Sequence, residues 1–241
     1  MDDPLGNVHG VVAAQKHKSG RQILSVKVFS ELVQAACERN QSSLAVGIVP
    51  RVDQLPALIQ RYDDPFLPLG RTIIDATSDL AAAYVFHLGA YLATGAAGAI
   101  ALERTIAYAP KDAVKIIHAP FVSADYVRAV YEDAFGADAV TLATYERDSV
   151  AAYVRNPLHG VFIADQSERE LEQLTVEFPG QVGGYRSIGV GHNLLQIRNA
   201  DSLVLQWFWG DRLYTSGGED FAKVLRITAT QLRTKQRDLD G

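Results

Sequence analysis

The run RTIIDATSDLAAAYVFHLGAYLATGAAGAIALERTIAYAP (71–110), continued by KDAVKIIHAPFVSADYVRAVYEDAFGADAVTLAT (111–144), decides the fold. Ile73, Ile74, Thr77 and Leu80 recur at helical spacing. They are followed by AAAYVFHL (81–88), a short apolar run of strand type. A second helix is predicted to end near Tyr108, with Pro110 as its stop. VKIIHAP (114–120) and AVTLAT (139–144) are further buried strands, and Ser123 is placed to cap a helix carrying Tyr126, Val130 and Phe135. Strand and helix alternate in units of one size, the pattern of a parallel sheet with helices outside.

The alternation extends in both directions. Upstream, Val28, Leu32, Ala35 and Ala36 predict a helix before the strand SSLAVGIVP (42–50). Residues 1–22 carry Gly, Lys and His without periodicity and are expected to form a flexible arm ahead of one domain, 23–241. Downstream come a helix through Val150 to Val154, the strand GVFIAD (160–165), and a helix opened by a capping box, Ser167 with Glu170. After Gly180 the pattern loosens. Gly183, Gly184, Gly189 and Gly191 punctuate two units whose helices look short or missing, before the strand SLVLQWFW (202–209). A last helix, about 219–237, presents Phe221, Leu225 and Leu232 on one face. Eight strands in 241 residues predict a (β/α)8 barrel with degenerate sixth and seventh units.

Composition narrows the function classes. A formal net charge of −5 argues against a general nucleic-acid binder. The single Cys37 allows no intramolecular disulfide, fits a reducing compartment and lies in a helical pattern, as a small buried hydrophobe would. MDDPLGNVHG lacks the basic start and apolar run of a signal peptide, and no apolar segment reaches the ~20 residues of a membrane span. A cytoplasmic protein without a membrane partner is expected.

The framework motifs resemble the orotidine 5′-phosphate decarboxylase family in its long bacterial form. FSELVQAACERNQSSLAVGIVP (29–50) is similar to the family's opening helix and Val-Gly-Leu-Asp-Pro strand. RTIIDATSDLAAAYVFHLGAYLATGAAG (71–98) resembles its helix followed by Ala-Tyr-Lys-Pro-Asn, and KIIHAPFVSA (115–124) stands at its Asp-Ala-Lys-x-x-Asp signature. The resemblance implies that the ribose-binding Asp falls on Val49, the catalytic-network Lys on Val85 and the following Asn on His87. It likewise puts the first signature Asp on His118, the proton-donating Lys on Pro120 and the second Asp near Ser123. The pyrimidine loop is replaced by Asp165-Gln166-Ser167, only Gly189 and Gly191 remain of a phosphate loop, and Trp209 takes the place of a phosphate-gripping Arg. Apolar side chains there provide neither electrostatic preorganisation nor a proton donor. The resemblance therefore implies the scaffold and a homodimer, with orotidylate decarboxylation not expected.

In a barrel the residues at the C-terminal strand ends line the site. Here His118, His87 and Asp165 are the candidates for acid/base work, since His titrates near neutral pH and Asp can orient it. Val49, Val85, Pro120, Thr144, Gln166, His192, Trp207 and Trp209 are the candidate substrate-binding residues, an apolar and aromatic set that suits a small apolar or aromatic ligand. No His-x-His or His-Glu-x-x-His spacing points to a metal site, and no cofactor is called for. Core filling by Trp207 and Trp209 stands beside ligand stacking as a reading of those two residues. Three functions remain open: a repurposed enzyme acting on an apolar, non-phosphorylated molecule, for instance in secondary metabolism; a non-catalytic binding protein; and an atypical orotidylate decarboxylase.

Overall fold

The computed structural model describes residues 12–16, 22–164, 167–197 and 203–240. Two strands, β1 (Val12–Lys16) and β2 (Gln22–Val26), pair antiparallel in a sheet of their own. The rest of the expected N-terminal arm lies outside the described residues.

The barrel is closed by eight strands: β3 (Leu44–Ile48), β4 (Ala83–His87), β5 (Val114–His118), β6 (Ala139–Leu142), β7 (Gly160–Ala164), β8 (Val182–Gly189), β9 (His192–Ile197) and β10 (Leu203–Phe208). β3 through β8 pair parallel in chain order, and β10 closes on β3, also parallel. β3 is buried at every position, as expected of a strand covered on both faces.

The degenerate region has a definite form. β8 and β9 are joined at Val190–Gly191 and pair antiparallel, and β9 pairs antiparallel with β10. A parallel return needs a crossover of about a dozen residues or more, so a two-residue connection forces the strand to reverse. Gly191 has φ of +67°, and a Cβ there would lie 2.5 Å from the Trp209 carbonyl oxygen, so glycine is required at the turn.

Helices α2 (Phe66–Thr77), α4 (Ala96–Tyr108), α5 (Arg147–Tyr153), α6 (Glu168–Glu177) and α7 (Phe221–Asp240) follow the strands, and a short α3 (Leu88–Leu92) continues directly from β4. Leu69, Ile73 and Ile74 of α2 and Phe221, Leu225 and Ala229 of α7 are buried in the outer core between helices and sheet. α1 (Phe29–Asn40) precedes the barrel and plugs its lower end. Phe29 meets Phe162 edge-on at 5.9 Å between ring centroids, and a Cβ on Gly160 would lie 2.2 Å from the Phe29 ring. Two local expectations are corrected. Ser123 opens no α-helix but a 3-10 turn (Ala124–Tyr126) and a π turn (Ala129–Asp133), and its hydroxyl donates to Asp125 at 3.3 Å. Ser167 does precede α6, yet its side chain makes no capping bond; its N–H donates to the Tyr145 hydroxyl.

Candidate functional site

Register fixes which side chains enter the barrel. His87 of β4 pairs with His118 of β5, which pairs with Thr141 of β6; Ala164 pairs with Tyr185, and Asn193 of the reversed β9 with Trp207 of β10. Alternation along each strand carries Val85, Ile116, Ala139 and Phe162 into the interior below them. Because β9 runs backwards, Asn193 reaches this end from the start of its strand.

The result is a ring cluster centred on His118. Its centroid lies 4.9 Å from that of His87, 4.9 Å from Trp207 and 5.8 Å from Tyr185, and Trp207 lies 4.7 Å from Trp209. Trp207 is 1% exposed. Its indole fits because residue 47 is glycine: a Cβ there would stand 2.4 Å from Trp207 Nε1 and 2.7 Å from Trp209 Cβ. Trp207 thus fills the upper core and packs against His118.

Both histidines have one ring nitrogen committed to the protein. His87 Nδ1 accepts from the Ala90 N–H at 3.1 Å, which caps α3. His118 Nδ1 lies 2.8 Å from Thr141 Oγ1, which also accepts from the Ala119 N–H at 3.1 Å. Burial holds the His87 pKa below its ordinary value. Burial, with the neighbouring His87 second, lowers that of His118 to about 3. Burial disfavours the charged form of both rings, so the strand-end position shifts them away from the near-neutral range expected from sequence. Two buried polar atoms of the interior lack a protein partner: Trp207 Nε1 and Asn193 Oδ1.

The other sequence candidates distribute around this cluster. Val85 is fully buried one interior layer below His87. Pro120 follows β5 and is half-buried; Thr144 lies beyond β6 and accepts from the Glu146 N–H. Val49 follows β3 and lines, with Arg51, Gln54, Gly210, Asp211 and Tyr214, two adjoining clefts of about 320 and 200 Å3; Trp209 lines the smaller. His192 is on the opposite face of β9 from Asn193, stacked on Phe208 with centroids 3.9 Å apart, and so points away from the interior cluster. Asp165 and Gln166 lie outside the described residues. Sequence reasoning missed Thr141, Tyr185 and Asn193. Each sits two residues along its strand from another interior position (Ala139, Gly183 and Leu195), so strict alternation identifies them once the strand is in register. Among the described residues, no group of three His, Cys, Asp or Glu side chains is placed to hold a metal ion.

Comparison with known proteins finds likeness to one group of enzymes. No family profile matches the chain. A curated relative from Thermomicrobium roseum, an orotidine 5′-phosphate decarboxylase, is 31% identical over 163 residues, 64% of this chain and 58% of the relative. The enzyme of the same name from Herpetosiphon aurantiacus is 33% identical over 123 residues, 49% of this chain and 46% of its own. The matches span only about half the length of these curated relatives. Among solved structures, a Streptomyces avermitilis protein provisionally described as an orotidine 5′-phosphate decarboxylase superposes with a TM-score of 0.65. It is 18% identical and covers 93% of this chain and 99% of its own, a likeness that carries the fold alone. A Toxoplasma gondii protein with a similar provisional description has a TM-score of 0.51 at 27% identity, covering 61% of this chain and 52% of its own. No helix among the described residues is long and apolar enough to cross a membrane.

Proposed function

We propose that this protein uses a decarboxylase-type barrel to bind a small aromatic or apolar, non-phosphorylated molecule over His87, His118, Tyr185, Trp207 and Trp209, and that it acts on it by His-assisted chemistry of a lyase or isomerase kind. The observation that carries this reading is the make-up of the interior ring. The ring brings together two histidines, one threonine, one asparagine and aromatic side chains. Decarboxylation of orotidylate by an Asp–Lys array would require charges there. The residues that the resemblance aligns with them, Val85 and Pro120, cannot supply them.

The test is calorimetric titration with uridine 5′-monophosphate and with a tight orotidylate analogue, alongside a turnover assay on orotidylate. Absence of binding and turnover is expected. Micromolar binding of either nucleotide, with turnover, would overturn the reading and restore the activity named for the relatives.

The same resemblance supports a homodimer joined through the segment after β5. Phe121 is 63% and Tyr126 53% exposed there, large aromatics that a second copy would cover. Sedimentation at micromolar concentration is expected to give a dimer, and a monomer for the double variant Phe121→Ser, Tyr126→Ser; a monomeric wild type would refute the carry-over.

A further inference from the structure

The hydrogen bonds to the two histidines fix more than their position. A nitrogen that accepts a hydrogen bond carries no proton, so His87 Nδ1, which accepts from the Ala90 N–H, leaves the ring proton on Nε2. Thr141 settles His118. Its side chain is fully buried, and its oxygen already accepts from the Ala119 N–H. The hydroxyl proton then has one partner within reach, His118 Nδ1 at 2.8 Å, which must accept it. His118 is therefore also protonated on Nε2. Burial, which lowers both pKa values, keeps the two rings neutral. Neither Nε2 is among the buried atoms without a partner, and none of the protein hydrogen bonds at the site uses one.

We infer that His87 and His118 form a pair of neutral Nε2–H donors that together hold the carbonyl oxygen of an aromatic ketone or aldehyde seated against Trp207 and Tyr185. The two residues are in register on adjacent parallel strands with rings 4.9 Å apart, spacing that suits two donors converging on one oxygen with two lone pairs. A carboxylate would call for a cation, and neither ring is charged, nor is a cation among the residues in ring contact with His118. A hydroxyl donor would call for an acceptor, and both Nδ1 atoms are already used. In a reaction, such a pair stabilises charge developing on the oxygen while each ring keeps its own proton; it does not act as a base. Thr141 is a positioning residue: it sets the tautomer of His118 without touching the ligand.

This inference rests on the aromatic site proposed above, and its test separates the two. Nitrogen-15 spectra of histidine-labelled protein report each ring nitrogen as protonated or bare. Both Nδ1 atoms are expected bare and both Nε2 atoms protonated at pH 7; an Nδ1-protonated form of either residue overturns the inference. Acetophenone and ethylbenzene, which share a ring and differ in the carbonyl oxygen, then serve as binding probes. Acetophenone is expected to bind about tenfold more tightly, from two neutral hydrogen bonds partly offset by desolvation. That preference should vanish in His118→Phe. It should also fall in Thr141→Val and return in Thr141→Ser, a rescue that a merely structural role for the hydroxyl would not give. Equal binding of both probes refutes the donor pair while the aromatic site stands. If neither probe binds, the site falls and the donor pair with it.

Discussion

Acidification is the sharpest perturbation, because the histidine at the centre of the cluster has no room for a second proton. To ionise, His118 must protonate Nδ1, the atom that Thr141 Oγ1 approaches at 2.8 Å; Thr141 would then accept from both His118 and Ala119 and lose the partner for its own hydrogen. With a folded pKa of about 3 against an ordinary 6.5, the unfolded chain binds a proton at this site throughout the interval between them and the folded chain does not. Stability is therefore full above pH 6.5 and is lost as pH falls below it, down to about pH 3. From pH 8 to pH 5 the loss assigned to this group is about 2 kcal/mol, obtained by linkage from those two values. Other buried groups titrate too, so the quantity to measure is a difference. Urea unfolding of the wild type and of His118→Phe at pH 8 and pH 5 should show the wild type losing about 2 kcal/mol more than the variant. Parallel pH dependence in the two proteins would show that His118 is not held neutral by its surroundings, and the account of the cluster would fail with it.

Three further perturbations address the barrel around that cluster. Gly47→Ala sets a Cβ 2.4 Å from Trp207 Nε1 and 3.1 Å from the Phe208 carbonyl, so it should cost about 1–3 kcal/mol by overpacking and shift the tryptophan emission; unchanged stability and emission would mean that Trp207 does not lie against β3. Phe29→Ala removes the plug at the lower end and should cost about 3–5 kcal/mol in denaturant unfolding, whereas a loss below about 1 kcal/mol would show α1 to be loosely attached. Asn193 is 7% exposed with Oδ1 unpaired, so Asn193→Leu should be neutral or raise the melting temperature slightly; a fall of several degrees would reveal a partner for that oxygen.

The strands and most helices were legible because they obey two strong periodicities. AAAYVFHL and VKIIHAP could only be buried strands, and they are β4 and β5 with His87 and His118 at their ends. What failed was local. Ser123 and the Ser167–Glu170 pair carry cap signals, but the Ser123 hydroxyl takes a local partner two residues on, Asp125, and Ser167 leaves its side chain out of the cap while its N–H bonds Tyr145. The mouth was half legible. Histidine at a strand end signals a site, yet whether it titrates near neutrality depends on burial, which a linear pattern does not express. His192 and Asn193 show the limit most clearly. Adjacent in sequence, they take opposite faces of β9. Which of them enters the barrel follows from the pairing of Asn193 with Trp207, a contact set by the reversal of the strand.

That reversal also bears on ligand chemistry, since it removes a common means of holding phosphate in an α/β barrel. There, backbone N–H groups at helix N-termini after the late strands point at the anion and the helix dipole adds to them. Here β8 runs through Val190–Gly191 into β9, and no helix follows it; Arg212 donates to the Val190 carbonyl at 3.2 Å. β10 is followed by a 3-10 turn (Gly210–Arg212) before α7 begins at Phe221. Around Trp207 the interior offers rings and an uncharged asparagine, while the cleft beside Trp209 carries Arg51 together with Asp211. On the function proposed above, a phosphate dianion seated over the ring cluster would lose its hydration against aromatic surface, whereas an aromatic carbonyl compound would bury apolar surface and need two neutral donors. Titrating inorganic phosphate against acetophenone binding checks this directly. Phosphate at about ten millimolar should not compete, and competition would place an anion at the mouth and refute the proposed preference for an uncharged ligand.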